Sequence, residues 1–88
     1  MVDDIQDVIR CKRFEIVDDD GRKRVSIGVS GRDVDFTIFD EDGGTKFEIE
    51  YDGADDDIGL FLFHQNGSRV SLGVNKDGKA YLMGNFKE

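Results

Sequence analysis

Proline is absent from these 88 residues, and the chain holds one cysteine and one histidine. A single thiol cannot close an internal disulfide, and no Cys/His cluster offers a structural zinc. No segment looks like a linker, so residues 1–88 are read as one domain. Apolar runs never reach even ten residues, too short for a membrane-spanning helix. The first ten residues, MVDDIQDVIR, are acidic before they are basic, the reverse of a secretory leader. The expectation is a cytoplasmic protein with no membrane partner. Phosphate loops, dinucleotide fingerprints, HExxH and GxSxG are all missing. Nothing in the chain points to an enzyme, and no cofactor or metal is implied.

Positive charge is also in short supply. Net charge is −8, with fifteen Asp and five Glu against twelve basic residues, and such a surface repels nucleic acid and anionic membranes. The clusters Arg10-Lys12-Arg13 and Arg22-Lys23-Arg24 could touch phosphate, but the second follows Asp18 to Asp20 directly, so ion pairing across strands is expected instead. Apolar residues and glycine together make about 48% of the chain, as in folded domains. A chain this short buries only about 60% of its unfolded surface. With disulfide and zinc both excluded, oligomerisation is the remaining way to stabilise it.

What the chain does have is a period of two. Phe14 and Ile16, then Val25, Ile27 and Val29, then Val34, Phe36 and Ile38 alternate with polar residues, and so do Phe47, Ile49 and Tyr51, and Val70, Leu72 and Val74. Each such strand has one face to bury and one to wet. The pattern changes at residues 59–63 (GLFLF), where Leu60 and Leu62 point one way and Phe61 and Phe63 the other. That strand is expected to be central or at an interface. Ahead of the strands, Val2, Ile5 and Ile9 have helical spacing, which predicts a short helix over residues 2–10, with a strand starting near Val8 as the competing reading.

Four connections share one chemistry: residues 18–21 (DDDG), 40–43 (DEDG), 64–67 (HQNG) and 75–78 (NKDG). Asp, Asn or His at the first position can accept a backbone hydrogen bond, and Gly at the fourth supplies positive φ without steric cost. This is hairpin-turn chemistry. The acidic turns lack the closing bidentate Glu of a calcium loop, and His64 is read as a turn former. Cys11, between Arg10 and Lys12, would gain thiolate character if exposed, yet no base accompanies it.

Residues 14–29 (FEIVDDDGRKRVSIGV) return as residues 36–51 (FTIFDEDGGTKFEIEY) and as residues 60–74 (LFLFHQNGSRVSLGV), the last with one residue deleted after its turn. The expected organisation is an amino-terminal segment 1–12 and three tandem repeats at about 13–35, 36–59 and 60–83. Residues 13–18, 21–24 and Ile27-Gly28-Val29 resemble the tandem strand–turn repeats of many bacterial proteins. There an arginine-phenylalanine start precedes a D-x-x-G turn and a glycine-valine close. The third copy matches through Gly67, Arg69 and Leu72-Gly73-Val74, whereas the second has Ile49-Glu50-Tyr51 at its close. The resemblance implies an all-β, self-assembling structural module of β-prism or β-roll type, with a homotrimer favoured and no catalytic residues.

The interface candidates are Leu60, Phe61, Leu62 and Phe63. A competing reading is a monomeric acidic binding protein, of inhibitor or immunity type, that meets a basic protein partner through Asp55, Asp56 and Asp57. Acid spread over every turn suits the assembly, and acid focused near residues 52–57 suits the binder. A small barrel holding a ligand between its aromatics is a third possibility, although seven Phe at repeat positions are more economically core.

Overall fold

Every stretch of alternating sequence becomes a strand. The computed structural model describes residue 5 and residues 7–84. Its strands are β1 (Arg13–Val17), β2 (Lys23–Ser30), β3 (Asp33–Phe39), β4 (Thr45–Asp52), β5 (Asp57–Phe63), β6 (Arg69–Val74) and β7 (Ala80–Gly84). They form one antiparallel sheet in chain order, each strand hydrogen-bonded only to its sequence neighbours. The fold is therefore all-β, and a single chain makes one open sheet; a prism or a roll is not closed within it.

The amino-terminal helix is not seen among the described residues. Ile5 and residues 7–12 carry neither helix nor strand, and the other positions of that expected helix lie outside the described residues. A nine-residue helix needs packing to persist, and the side chains of Ile5, Val8 and Ile9 are exposed.

The four shared turns have one geometry. The carbonyls of Asp18, Asp40, His64 and Asn75 each accept from the N–H of the glycine three residues on, and their own N–H groups donate to the carbonyl four residues on. The first side chain of each turn then caps it. Oδ1 of Asp18 accepts from the N–H groups of Asp20 and Arg22, Oδ1 of Asp40 from Asp42 and Gly44, and Oδ1 of Asn75 from Asp77 and Lys79. His64 does the same through Nδ1, which accepts from Asn66 at 3.1 Å. Gly21, Gly43, Gly67 and Gly78 have φ between 79° and 91°, in the region L side chains avoid. Replacing Gly43 by Val should lower stability by about 1 kcal/mol or more, read as a fall in melting temperature. An unchanged melt would show that this turn does not need its positive φ.

The deletion in the third copy has a structural counterpart. Ile16 pairs with Val25 but Val17 with Lys23, so the ladder skips Arg24. Ile38 pairs with Phe47 but Phe39 with Thr45, skipping Lys46. After the third turn there is no extra residue and no skip: Leu62 pairs with Val70 and Phe63 with Arg69. An extra residue must leave the ladder as a bulge, and a bulge preserves the side-chain parity of the strand beyond it.

Candidate functional site

Strand alternation and register together sort the side chains onto two faces of very different chemistry. One row crosses all seven strands as Phe14, Ile27, Phe36, Ile49, Leu60, Leu72 and Leu82. Flanking it on one side are Ile16, Val25, Ile38, Phe47, Leu62 and Val70, and on the other Val29, Val34, Tyr51, Ile58, Val74 and Ala80. No charged side chain interrupts these three rows. Phe36 and Phe47 meet edge to face at 5.6 Å within them. A shallow depression of about 390 Å³ opens among Ile49, Ile58, Leu60 and Leu72.

None of the described residues covers this face. Among the described residues no apolar side chain is buried, and Phe14, Ile58, Leu72 and Leu82 remain 46, 46, 46 and 66% exposed. The radius of gyration is 16.2 Å, against about 12 Å for a compact domain of this length. Apolar patches beyond about 300–600 Å² on a monomer mark interaction sites. Seven strands about 4.8 Å apart, each some six residues long at ~3.3 Å per residue, cover roughly 30 by 20 Å.

The opposite face is polar at β1–β4 and holds the buried residues of the sheet: Ser26, Thr37 and Ser71, with Gly28, Gly59 and Gly73 beside them. Longer side chains lie flat across these small ones. The Arg13 guanidinium rests over Gly28, donating to both carboxylate oxygens of Asp35 at 2.8 and 3.1 Å and to Ser26 Oγ and Ser30 Oγ. Phe61 folds back over Gly59 and stacks on Phe63 at 6.2 Å, while the Tyr81 ring lies over Gly73. The four interface candidates are thus divided. Leu60 and Leu62 belong to the apolar face, and Phe61 and Phe63 to the other. β5 is an interior strand, paired on both sides. What the sequence reasoning missed is the extent of the apolar surface, which reaches Phe36, Ile49 and Leu72 as well; the shared alternation carried that signal, but only the register aligns it.

The basic residues after the first turn are engaged in ion pairs. Arg22 contacts Asp18 and Asp20 at 3.0 and 2.8 Å, Lys23 reaches Glu15 at 3.5 Å, and Arg24 reaches Asp18 at 3.6 Å and donates to the Phe39 carbonyl. Turn acids occur at both ends of the sheet, residues 18–20 and 40–42 at one and residues 52–57 and Asp77 at the other. Within the loop between β4 and β5, Asp56 accepts from the Tyr51 hydroxyl at 2.7 Å and Asp57 from the Lys76 N–H at 2.9 Å. Asp55 is exposed. Cys11 is exposed as well. Among the described residues no three His, Cys, Asp or Glu side chains converge to hold a metal. No helix among them is long and apolar enough to cross a membrane.

Two carboxylates on the polar face titrate in opposite directions. The Arg13 hydrogen bonds hold Asp35 below the ordinary range, against the opposing effect of burial. Its contribution to stability is present above the unfolded value and lost as pH falls through the depressed one. Burial pushes Glu48 up, and the charges of Glu50 and Asp35 add to that. A raised carboxyl stabilises the fold below its unfolded value, near 4.5, and loses that contribution as pH rises through the folded one. Glu48→Gln should therefore raise the melting temperature at neutral pH, with the gain shrinking to nothing under acid. An equal gain at every pH would mean that charge is not the cause.

Comparison of the chain with protein-family models, with characterised proteins and with solved structures finds no match to any of them.

Proposed function

We propose that this protein is a non-catalytic structural or interaction module, built of three tandem β repeats, that assembles with copies of itself in the cytoplasm. The observation that carries the reading is the uninterrupted apolar face, three rows deep with its central row crossing all seven strands, on which no other described residue lies. Removing such a surface from water is the main favourable contribution to protein association. The placement of acid supports the same reading. Carboxylates at both ends of the sheet keep an assembly soluble and leave its apolar face uncharged. Several of them are already engaged: Asp18 and Asp40 cap their own turns, Asp56 accepts from the Tyr51 hydroxyl and Asp57 from the Lys76 N–H.

The resemblance to bacterial strand–turn repeats adds self-assembly from a different direction, and a homotrimer in particular. Light scattering on the purified chain tests the common element. A mass of more than one subunit at tens of micromolar is expected. A one-subunit mass with a cooperative melt would overturn the proposal and favour the monomeric acidic binder, whose basic partner would land on the loop at residues 52–57.

A further inference from the structure

From the shape of the apolar face we infer that its occupant is the same face of a second copy, giving a two-layer sandwich of fourteen strands. The inference rests on the self-assembly reading and adds to it both the geometry and the number. Face-to-face sheets keep a nearly constant separation of about 10 Å from edge to edge, so they ask for side chains of similar size across their whole width. The central row meets that demand. It holds large side chains at every strand, with Phe14 at one edge and Leu82 at the other, and size drops only at Ala80 and Gly84, at the ends of β7.

Three sheets around an axis make a different demand. With each sheet roughly 29 Å wide, the middle strand stands about 8 Å from the axis while side chains of ordinary size fill about 5 Å, and the sheets converge at the corners. Such a prism needs bulk at β4, where Phe47, Ile49 and Tyr51 do stand, and small residues at both edges. Phe14 and Ile16 on β1 are the opposite of that. Area agrees with the pair: the sheet presents on the order of 600 Å² in projection, close to the ~800 Å² per partner of a standard interface. A two-fold pairing is isologous and closed, the same face on both copies being used, so that face is not left to recruit a third. Ile49, in the middle row of the middle strand, then lies near the two-fold axis, and its neighbour Glu50 points away from it, exposed on the polar face.

Sedimentation equilibrium on the full chain gives the number, and thiol labelling gives the face. In a Cys11→Ser background, the thiols of Ile49→Cys and Leu60→Cys should react with maleimide about tenfold or more slowly at high protein concentration than after dilution, whereas that of Glu50→Cys should react at one rate throughout. The expected result is a two-subunit mass with both apolar-face positions protected. A three-subunit mass overturns the sandwich and leaves self-assembly standing. Two subunits with unprotected positions 49 and 60 place the contact at the strand edges and overturn it too. A one-subunit mass overturns the sandwich and the self-assembly reading together; protected positions in that monomer would assign the face to the amino-terminal segment of the same chain.

Discussion

Leu60→Asp should abolish assembly, reducing the particle to one subunit or leaving no folded protein. Leu60 sits in the central row between Ile49 and Leu72, where an unpaired carboxylate closed into an apolar contact costs about 3–5 kcal/mol. The adjacent change, Phe61→Asp, makes the comparison sharp. Phe61 faces the other way, stacked on Phe63 and opposite Glu48, so its replacement removes one ring contact and adds one like-charge neighbour on a surface that water reaches. The melting temperature should fall, and the mass should not. Size-exclusion chromatography with light scattering on the two variants side by side decides this. If Phe61→Asp dissociates the particle while Leu60→Asp leaves it whole, the assembly uses the opposite face of the sheet.

Gly73→Ala should be the most damaging conservative change in the sheet, costing about 1–3 kcal/mol as an overpacked site does. A Cβ at position 73 would fall on the backbone carbonyl oxygen of Ile58 and against the Tyr81 ring. That carbonyl belongs to the adjoining strand and cannot retreat without disturbing the β5–β6 ladder. Gly28 lies in a similar Ile-Gly-Val context on β2, yet the three atoms nearest its added Cβ all belong to the Arg13 guanidinium, with Cζ at 2.6 Å. The arginine can swing aside at the expense of its exposed pair with Asp35, and such pairs contribute little. Gly28→Ala should therefore cost about 1 kcal/mol or less. Thermal melts of the two variants test the contrast. Equal losses would show that the glycines are needed for backbone conformation and not for what lies over them.

The resemblance of the Gly28 and Gly73 segments in sequence conceals this difference in their neighbours. In both, a small residue lets a long side chain lie flat on the sheet, but the covering group is Arg13 from β1 in one case and Tyr81 from β7 in the other. Those partners are fifteen and eight residues away along the chain, at no spacing that a local motif would advertise. The same holds for Phe61 over Gly59. An apolar residue at a polar-face position reads, from sequence, as an interface anchor; in the structure it is a lid over a glycine.

Much of this protein was determined by local chemistry, and that part was legible in the chain itself. Alternation sets a strand because successive side chains point to opposite faces, and D-x-x-G or its His and Asn variants set a turn because the first side chain caps and the glycine takes positive φ. The residue deleted after the third turn corresponds to a hairpin without the bulge that follows the first two turns. The amino-terminal helix expected over residues 2–10 is not confirmed: among the described residues of that segment none is helical, and spacing without a packing partner is a weak signal for so short a helix. The tertiary structure alone decided that the apolar sides of all seven strands fall on one side of one sheet. Parity within a strand is a local property, but parity between strands depends on each turn length and each bulge, and a slip of one residue anywhere would have sent part of the set to the opposite face. Register is what turns seven half-apolar strands into a single surface that no other described residue covers.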